Sequence, residues 1–203
     1  MAMFSRAARW LLSLGCLLSL VAAAHAMSVV APTFDQLVQD ATTVFRGTVT
    51  DVHSVTVDTP QGSAIRTLVT FQVERALKGS PQPQVTLSFL GGKVGHRNMH
   101  VLGMPTFAVG QREIVFVGAE GNSVCPLLAA GHGRYHVRHD VKTGHEYVAR
   151  ENNTPLTSTD DVAKPLEANT AAASTNSATA LTSDEFETRI ITATRGNSRR
   201  VQP

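Results

Sequence analysis

The chain has 203 residues, with 18 Lys and Arg against 16 Asp and Glu and a formal net charge of +2. That near-balance excludes a strongly basic nucleic-acid binder, and the small cluster Arg195, Arg199 and Arg200 reads as a solvated chain end. Two cysteines exclude a disulfide scaffold, so stability has to come from a hydrophobic core.

The first element is an export signal. Arg6 and Arg9 precede an apolar run from Trp10 to Ala23, and Ala24-His25-Ala26 supplies the small-x-small end that signal peptidase cuts. Cleavage is expected after Ala26, with Met27 as the mature N-terminus. Two readings compete with it. An uncleaved anchor would need roughly 20 apolar residues, and the run is shorter. Lipidation at Cys16 would put Ser13 where such boxes carry leucine. Export places the protein in the periplasm or outside the cell, away from ATP, nicotinamide cofactors and chromosomal DNA. No cofactor, no nucleic acid and no later membrane span is therefore expected. Without residues 1–26 the basic and acidic side chains balance at 16 each, and Cys125 is the remaining cysteine.

Residues 27–150 read as one β-rich domain. Phe34, Leu37, Val38 and Ala41 share a helical face, and Thr33 caps that helix. A long strand follows over 44–57, with Gly47 inside it predicting a bulge or bend. Over 65–77, Ile65, Val69, Phe71, Val73 and Leu77 alternate with Arg66, Thr70, Gln72 and Glu74, as in a half-buried antiparallel strand. Lys78-Gly79-Ser80-Pro81 turns the chain, and Val85, Leu87 and Phe89 alternate again before Gly91-Gly92. Ile114-Val115-Phe116-Val117 is apolar on both faces and predicts a central strand. Arg134 to Arg138 alternates around Tyr135 and Val137.

Residues 151–180 are rich in Ala, Ser, Thr and Asn, which predicts a flexible low-complexity linker. Thr182 and Glu185 form a capping box, and Phe186, Ile190 and Ile191 share one face, so a short helix is expected over 181–195 and docks on the domain. A disordered tail is expected over 196–203. Together these elements predict a mostly β fold, an OB-like Greek-key barrel with a short helix at each end.

The run Ala41-Thr42-Thr43-Val44-Phe45-Arg46-Gly47-Thr48-Val49, followed by the alternating strand and Leu77-Lys78-Gly79, resembles the start of netrin-like modules, the family that includes the tissue inhibitors of metalloproteinases. Later segments resemble a bacterial family of exported proteins with no assigned function. They are Phe89-Leu90-Gly91-Gly92-Lys93-Val94-Gly95, Gly103-Met104-Pro105-Thr106-Phe107-Ala108-Val109-Gly110-Gln111, and Cys125-Pro126-Leu127 through Gly133-Arg134-Tyr135. The resemblance implies an OB-type barrel over about residues 33–139. The inhibitors' N-terminal cysteine and disulfides have no counterpart here, and no inhibitory residue is carried over.

Three groups invite a chemical reading. His96 and His100, and His132 and His136, are spaced for zinc on a helix, but Gly95, Gly131 and Gly133 break both segments. Strand residues four apart lie about 13 Å apart, so no metal site is assigned to them. Cys125 lies among Val124, Pro126, Leu127 and Leu128, which predicts a buried, unreactive thiol. The Gly-rich run from 91 to 110 lacks the Gly-Lys-Ser/Thr ending of a phosphate loop. It reads as a long connection whose Gly91, Gly92, Gly95, Met104, Pro105 and Phe107 are binding-loop candidates, with sealing of the barrel end by Met104, Phe107 and Val109 as the rival role.

No catalytic motif stands out. The function expected is an exported, non-enzymatic binding module that contacts or inhibits another exported protein, such as a protease. One alternative is a metal-dependent exported enzyme using His96, His100, His132 and His136. The other is a structural envelope or surface-assembly protein. No oligomeric state is assigned.

Overall fold

The computed structural model describes residues 31–60, 62–119, 124–140, 143–166 and 177–200. The expected signal, its cleavage point at Ala26 and Met27, residues 167–176 of the expected linker and residues 201–203 of the tail lie outside the described residues.

Helix α1 (Phe34–Asp40) starts where its capping box dictates. Thr33 Oγ1 accepts from the Gln36 N–H, and Gln36 Oε1 accepts from the Thr33 N–H. Its C-terminal carbonyls are met by Lys78, whose Nζ donates to Val38 O at 2.6 Å and Gln39 O at 2.9 Å. A cation there also complements the helix dipole.

Strands β1 (Thr43–Thr59) and β2 (Gly62–Lys78) form a long hairpin. Then come β3 (Gln84–Leu90), the small hairpin of β4 (Gly92–Val94) and β5 (Arg97–Met99), β6 (Arg112–Val117), β7 (Arg134–His139) and β8 (Glu146–Arg150). The main sheet is antiparallel in the order β3-β2-β1-β6-β7-β8, and β4 pairs with β5 separately. Gly47 sits at a register shift, as its place in the strand predicts, and a Cβ there would meet Gln72 O at 2.7 Å.

The sheet is covered on both faces, so there are two cores. Val69 and Phe71 pack with Phe45, Val49, Leu87, Phe89, Val115, Cys125 and Leu127. On the other face Val44, Leu77, Ile114, Phe116 and Tyr135 pack beneath α1 and the C-terminal helix. Register shifts near Val44 and Gly47 coil the hairpin, and Leu77 thereby joins the helix-covered core while Phe71 stays on the opposite one. Strand β6 is central, as its apolar run predicts: Val115 enters one core and Ile114 and Phe116 the other.

The mostly β fold with a helix at each end is as expected, but the barrel does not close. Among the described residues no strand pairs with the outer edge of β3, because β7 pairs onward with β8 instead. One backbone bond, from the Leu90 N–H to Val124 O at 2.9 Å, reaches across from β3 to the segment after β6.

The chain stays packed after β8, in a stretch whose composition predicted a linker. Leu156 and Val162 are fully buried, and a 3-10 turn (Thr159–Ala163) lies against the helix-covered core. Arg150 donates to Pro165 O at 3.3 Å and to Lys164 O. Helix α2 (Ser183–Arg200) begins at the Thr182–Glu185 box and runs through residues 196–200, past the expected end at 195. Thr182 bridges Tyr147 on β8, so the docking side of that helix is set before it starts.

Asp161 organises this segment. Burial alone would raise its pKa, but hydrogen bonds from Lys164, the Thr157 hydroxyl and the Thr157 and Ser158 N–H groups prevail and hold it at about 2. A folded value below the ordinary 3.8 contributes stability above that pH, lost as pH falls through 2. Asp161→Ala should therefore cost about 1–2 kcal/mol near neutrality, with the deficit shrinking between pH 4 and 2. Melting curves across that window check it, and a pH-independent deficit would contradict the ionic part.

Candidate functional site

The long connection from β5 to β6 lies over the mouth of the first core. Phe107 enters that core, its ring centroid 5.0 Å from Phe89 and 5.6 Å from Phe71. Met104 packs there too, and Pro105 is buried. The opposite side of the connection is bare: Leu102 is 92% exposed and Val109 64%. The two roles read from the sequence are thus divided between residues. Met104 and Phe107 seal the end of the core, while Leu102 and Val109 face solvent.

A cavity of about 280 Å³ opens beside this connection. Val52, Thr67, Val69 and Phe89 line it from the sheet, and Gly91, Gly92, His100, Met104, Pro105 and Phe107 from the loops. Five of the six binding-loop candidates therefore meet at one place. Gly95 stands apart at the β4–β5 turn, with open space around it. Gly91 and Gly92 take φ of +102° and +129°, which side chains rarely adopt, and a Cβ on Gly92 would lie 2.4 Å from the Ser54 and Thr67 hydroxyls.

What fixes the connection from below is a polar network that sequence reasoning missed. The Arg134 side chain is 1% exposed and its guanidinium carbon lies 3.9 Å from the Phe107 ring centroid. It donates to Thr106 O at 2.7 Å, Gln111 Oε1 at 3.1 Å, Glu113 Oε1 at 2.9 Å and Glu151 Oε1 at 3.2 Å. Glu113 is fully buried and also meets His136 Nδ1 at 3.0 Å. His136 Nε2 lies 3.3 Å from Glu151 O. Burial pushes the Glu151 carboxyl up. Arg134 and His136 oppose that shift, and Glu113 adds to it. Alternation around Tyr135 and Val137 puts Arg134 and His136 on the face opposite those two residues. The segment over 124–130 and the 105–111 connection cover that side, so its polar residues have to pair with one another.

The histidine pairs do not converge. His96 and His100 are exposed. His132 is buried against the Val162 backbone, and its pKa is lowered by burial and then by Arg150, while His136 belongs to the Glu113 network. Among the described residues no group of three or more His, Cys, Asp or Glu side chains could hold a metal ion.

Cys125 is 6% exposed and packs in the first core. Burial pushes its pKa up, against a bond from the Leu127 backbone, and Glu151 adds to the rise. Little thiolate forms near neutrality in such a setting. Maleimide should label Cys125 slowly in native protein and rapidly in denaturant. Equal rates would show a reactive, accessible thiol.

The residues that carry the netrin-like resemblance are accounted for structurally. Ala41, Val44 and Leu77 are core, Lys78 ends α1, and a Cβ on Gly79 would lie 2.9 Å from Thr42 O. No family model matches this chain, and a search of curated proteins found no match.

Proposed function

We propose that the protein is an exported, non-enzymatic binding module that grips another exported protein with the rim formed by the β3–β4 and β5–β6 connections. The observation that carries this reading is the division within one loop. Arg134 and the aromatic cluster hold Thr106 and Phe107 rigidly, while Leu102 stands 92% exposed beside a cavity able to take an apolar side chain. A fixed scaffold that presents exposed apolar residues next to a pocket suits contact with another protein. Netrin-like ancestry, protease inhibition and periplasmic or secreted location belong to the same proposal and rest on the resemblance and the signal sequence. The pair Glu113 and His136 has the chemistry of an acid–base couple, but both are buried, with their groups committed to each other, to Arg134 and to the Glu151 backbone. That supports a positioning role. Among the described residues no helix is long and apolar enough to cross a membrane.

The test is a photo-crosslinking side chain placed at position 102 in the producing cell. A discrete adduct with one exported protein is expected, lost when Val109→Asp is added. The same group at exposed Thr188 on α2 should give no such adduct. Identical patterns at both positions, or none at 102, would overturn the rim as the binding site. N-terminal sequencing of the same material should begin at Met27. A start at Cys16 or an intact N-terminus would overturn the export route proposed.

A further inference from the structure

A second site is built into the unclosed side of the sheet. Odd residues of β3 turn their backbone groups toward β2: Val85 faces Phe71, Leu87 faces Val69, and the flanking bonds Val73 N–H to Pro83 O and Gly91 N–H to Ile65 O keep the same phase. Even residues turn theirs outward, as the bond from the Leu90 N–H to Val124 O shows. Ser88 O accepts from Arg66 Nη2 at 2.8 Å. Among the described residues this leaves the Ser88 N–H and both backbone groups of Thr86 without a protein partner. Thr86 is exposed and Ser88 half-buried at this edge. A groove of about 380 Å³ runs along this edge, lined by Phe45, Val85, Leu87, Val117 and Pro126 and by Arg66, whose guanidinium is turned to Ser88.

We propose that this groove takes an extended, uncharged segment of another protein, which pairs its backbone with Thr86 and Ser88 at the edge where, among the described residues, no strand closes the barrel. The groove's chemistry specifies the occupant. Unpaired outward donors and acceptors on an edge strand recognise an extended backbone. The apolar floor formed by Phe45, Leu87 and Val117 calls for apolar side chains on the inward face. Thr86 and Ser88 call for small polar ones on the outward face. The bond from the Leu90 N–H to Val124 O takes up the next outward donor after Ser88, which limits the free edge at that end to a short slot. A slot suits a single strand better than the flank of a second copy. This site is separate from the rim, and either can fail without the other.

Amide hydrogen exchange on the full chain tests it, with a blocked hexapeptide of alternating valine and threonine as the probe. In free protein the Thr86 and Ser88 amides should exchange fast, and millimolar peptide should slow both by about tenfold or more. Two peptides N-methylated at alternate residues, one on each edge, should differ: one still protects and the other does not. The same protection should persist in Leu102→Asp, which disables the rim. No slowing, equal behaviour of the two methylated peptides, or loss of protection in Leu102→Asp would each overturn the proposal. Slowing that depends on protein concentration without peptide would overturn it in favour of a second copy.

Discussion

Arg134→Ala should destabilise the protein by about 3–5 kcal/mol, the range for removing one partner of a buried ion pair. The loss is large because the remaining partner has nowhere to go: Glu113 is fully buried and would keep only His136 against its carboxylate. The substitution also removes the bond to Thr106 O and the contact with the Phe107 ring, so the β5–β6 connection loses its lower support. Urea unfolding measures the global loss. Amide exchange at Gly110, whose N–H donates to Val49 O, reads the local one and should accelerate more than exchange in β1. The deficit has a pH signature. Glu151 already has a raised pKa, and its ionisation therefore opposes folding as pH climbs through the carboxylate range. Without the Arg134 charge that rise grows, so the deficit should be smaller at pH 4 than at pH 7. Arg134→Lys keeps charge without the planar fork and should fall between the two proteins. A loss below about 1 kcal/mol for Arg134→Ala would put this network in the class of surface pairs and remove the rigid support on which the rim reading depends.

Phe186→Ala should cost a similar amount, about 3–5 kcal/mol, through the cavity it leaves. Phe186 is fully buried, with its ring centroid 4.9 Å from Tyr135, 5.8 Å from Phe34 and 6.4 Å from Phe116. It is the point where both helices and strands β6 and β7 meet. One residue further, Glu187 is fully buried and bridges Arg46 on β1 and Arg75 on β2, each at 2.7 Å. Burial raises its pKa despite both arginines, so its charge is held inside the fold by those two partners alone among the causes that lower it. Loosening Phe186 therefore strains that pair as well. Phe186→Leu should lose far less. Circular dichroism should show helix and sheet melting together in the wild type, because α2 completes the core. An early helical transition separate from the sheet would show instead that α2 is an appendage.

Local signals in this chain report what they physically control. Thr33 with Gln36 and Thr182 with Glu185 start helices where side-chain oxygens meet the first free N–H groups, and both starts could be read directly. Alternation over 65–77 and the doubly apolar 114–117 gave the strands, because period and burial on a pleated surface are local consequences of sequence. Gly47 marked the bulge for the same reason. The candidates Gly91, Gly92, Met104, Pro105 and Phe107 were also recoverable as a group, since they lie in one loop-rich stretch and line one cavity.

Whether a given face meets water or another layer is a matter of tertiary structure, and there the sequence was ambiguous. Alternation places Arg134 and His136 on the side opposite Tyr135, but only the packing of residues 105–111 and 124–130 over that side makes it an interior and forces the ion network with Glu113 and Glu151. Low complexity marked 151–180 as linker. Yet Leu156 and Val162 are apolar residues set singly among polar ones, and a segment needs only such anchors, plus Asp161 to hold its turn, to join an existing core. Barrel closure was expected, and the sheet stays open. Short hairpins account for the β1–β2, β2–β3 and β7–β8 pairs, but the β1–β6 pair and closure are choices between distant edges. Here β8 takes the edge of β7 through a short hairpin, and among the described residues no strand takes the outer edge of β3, because closing it would need a long-range pairing that no local pattern encodes.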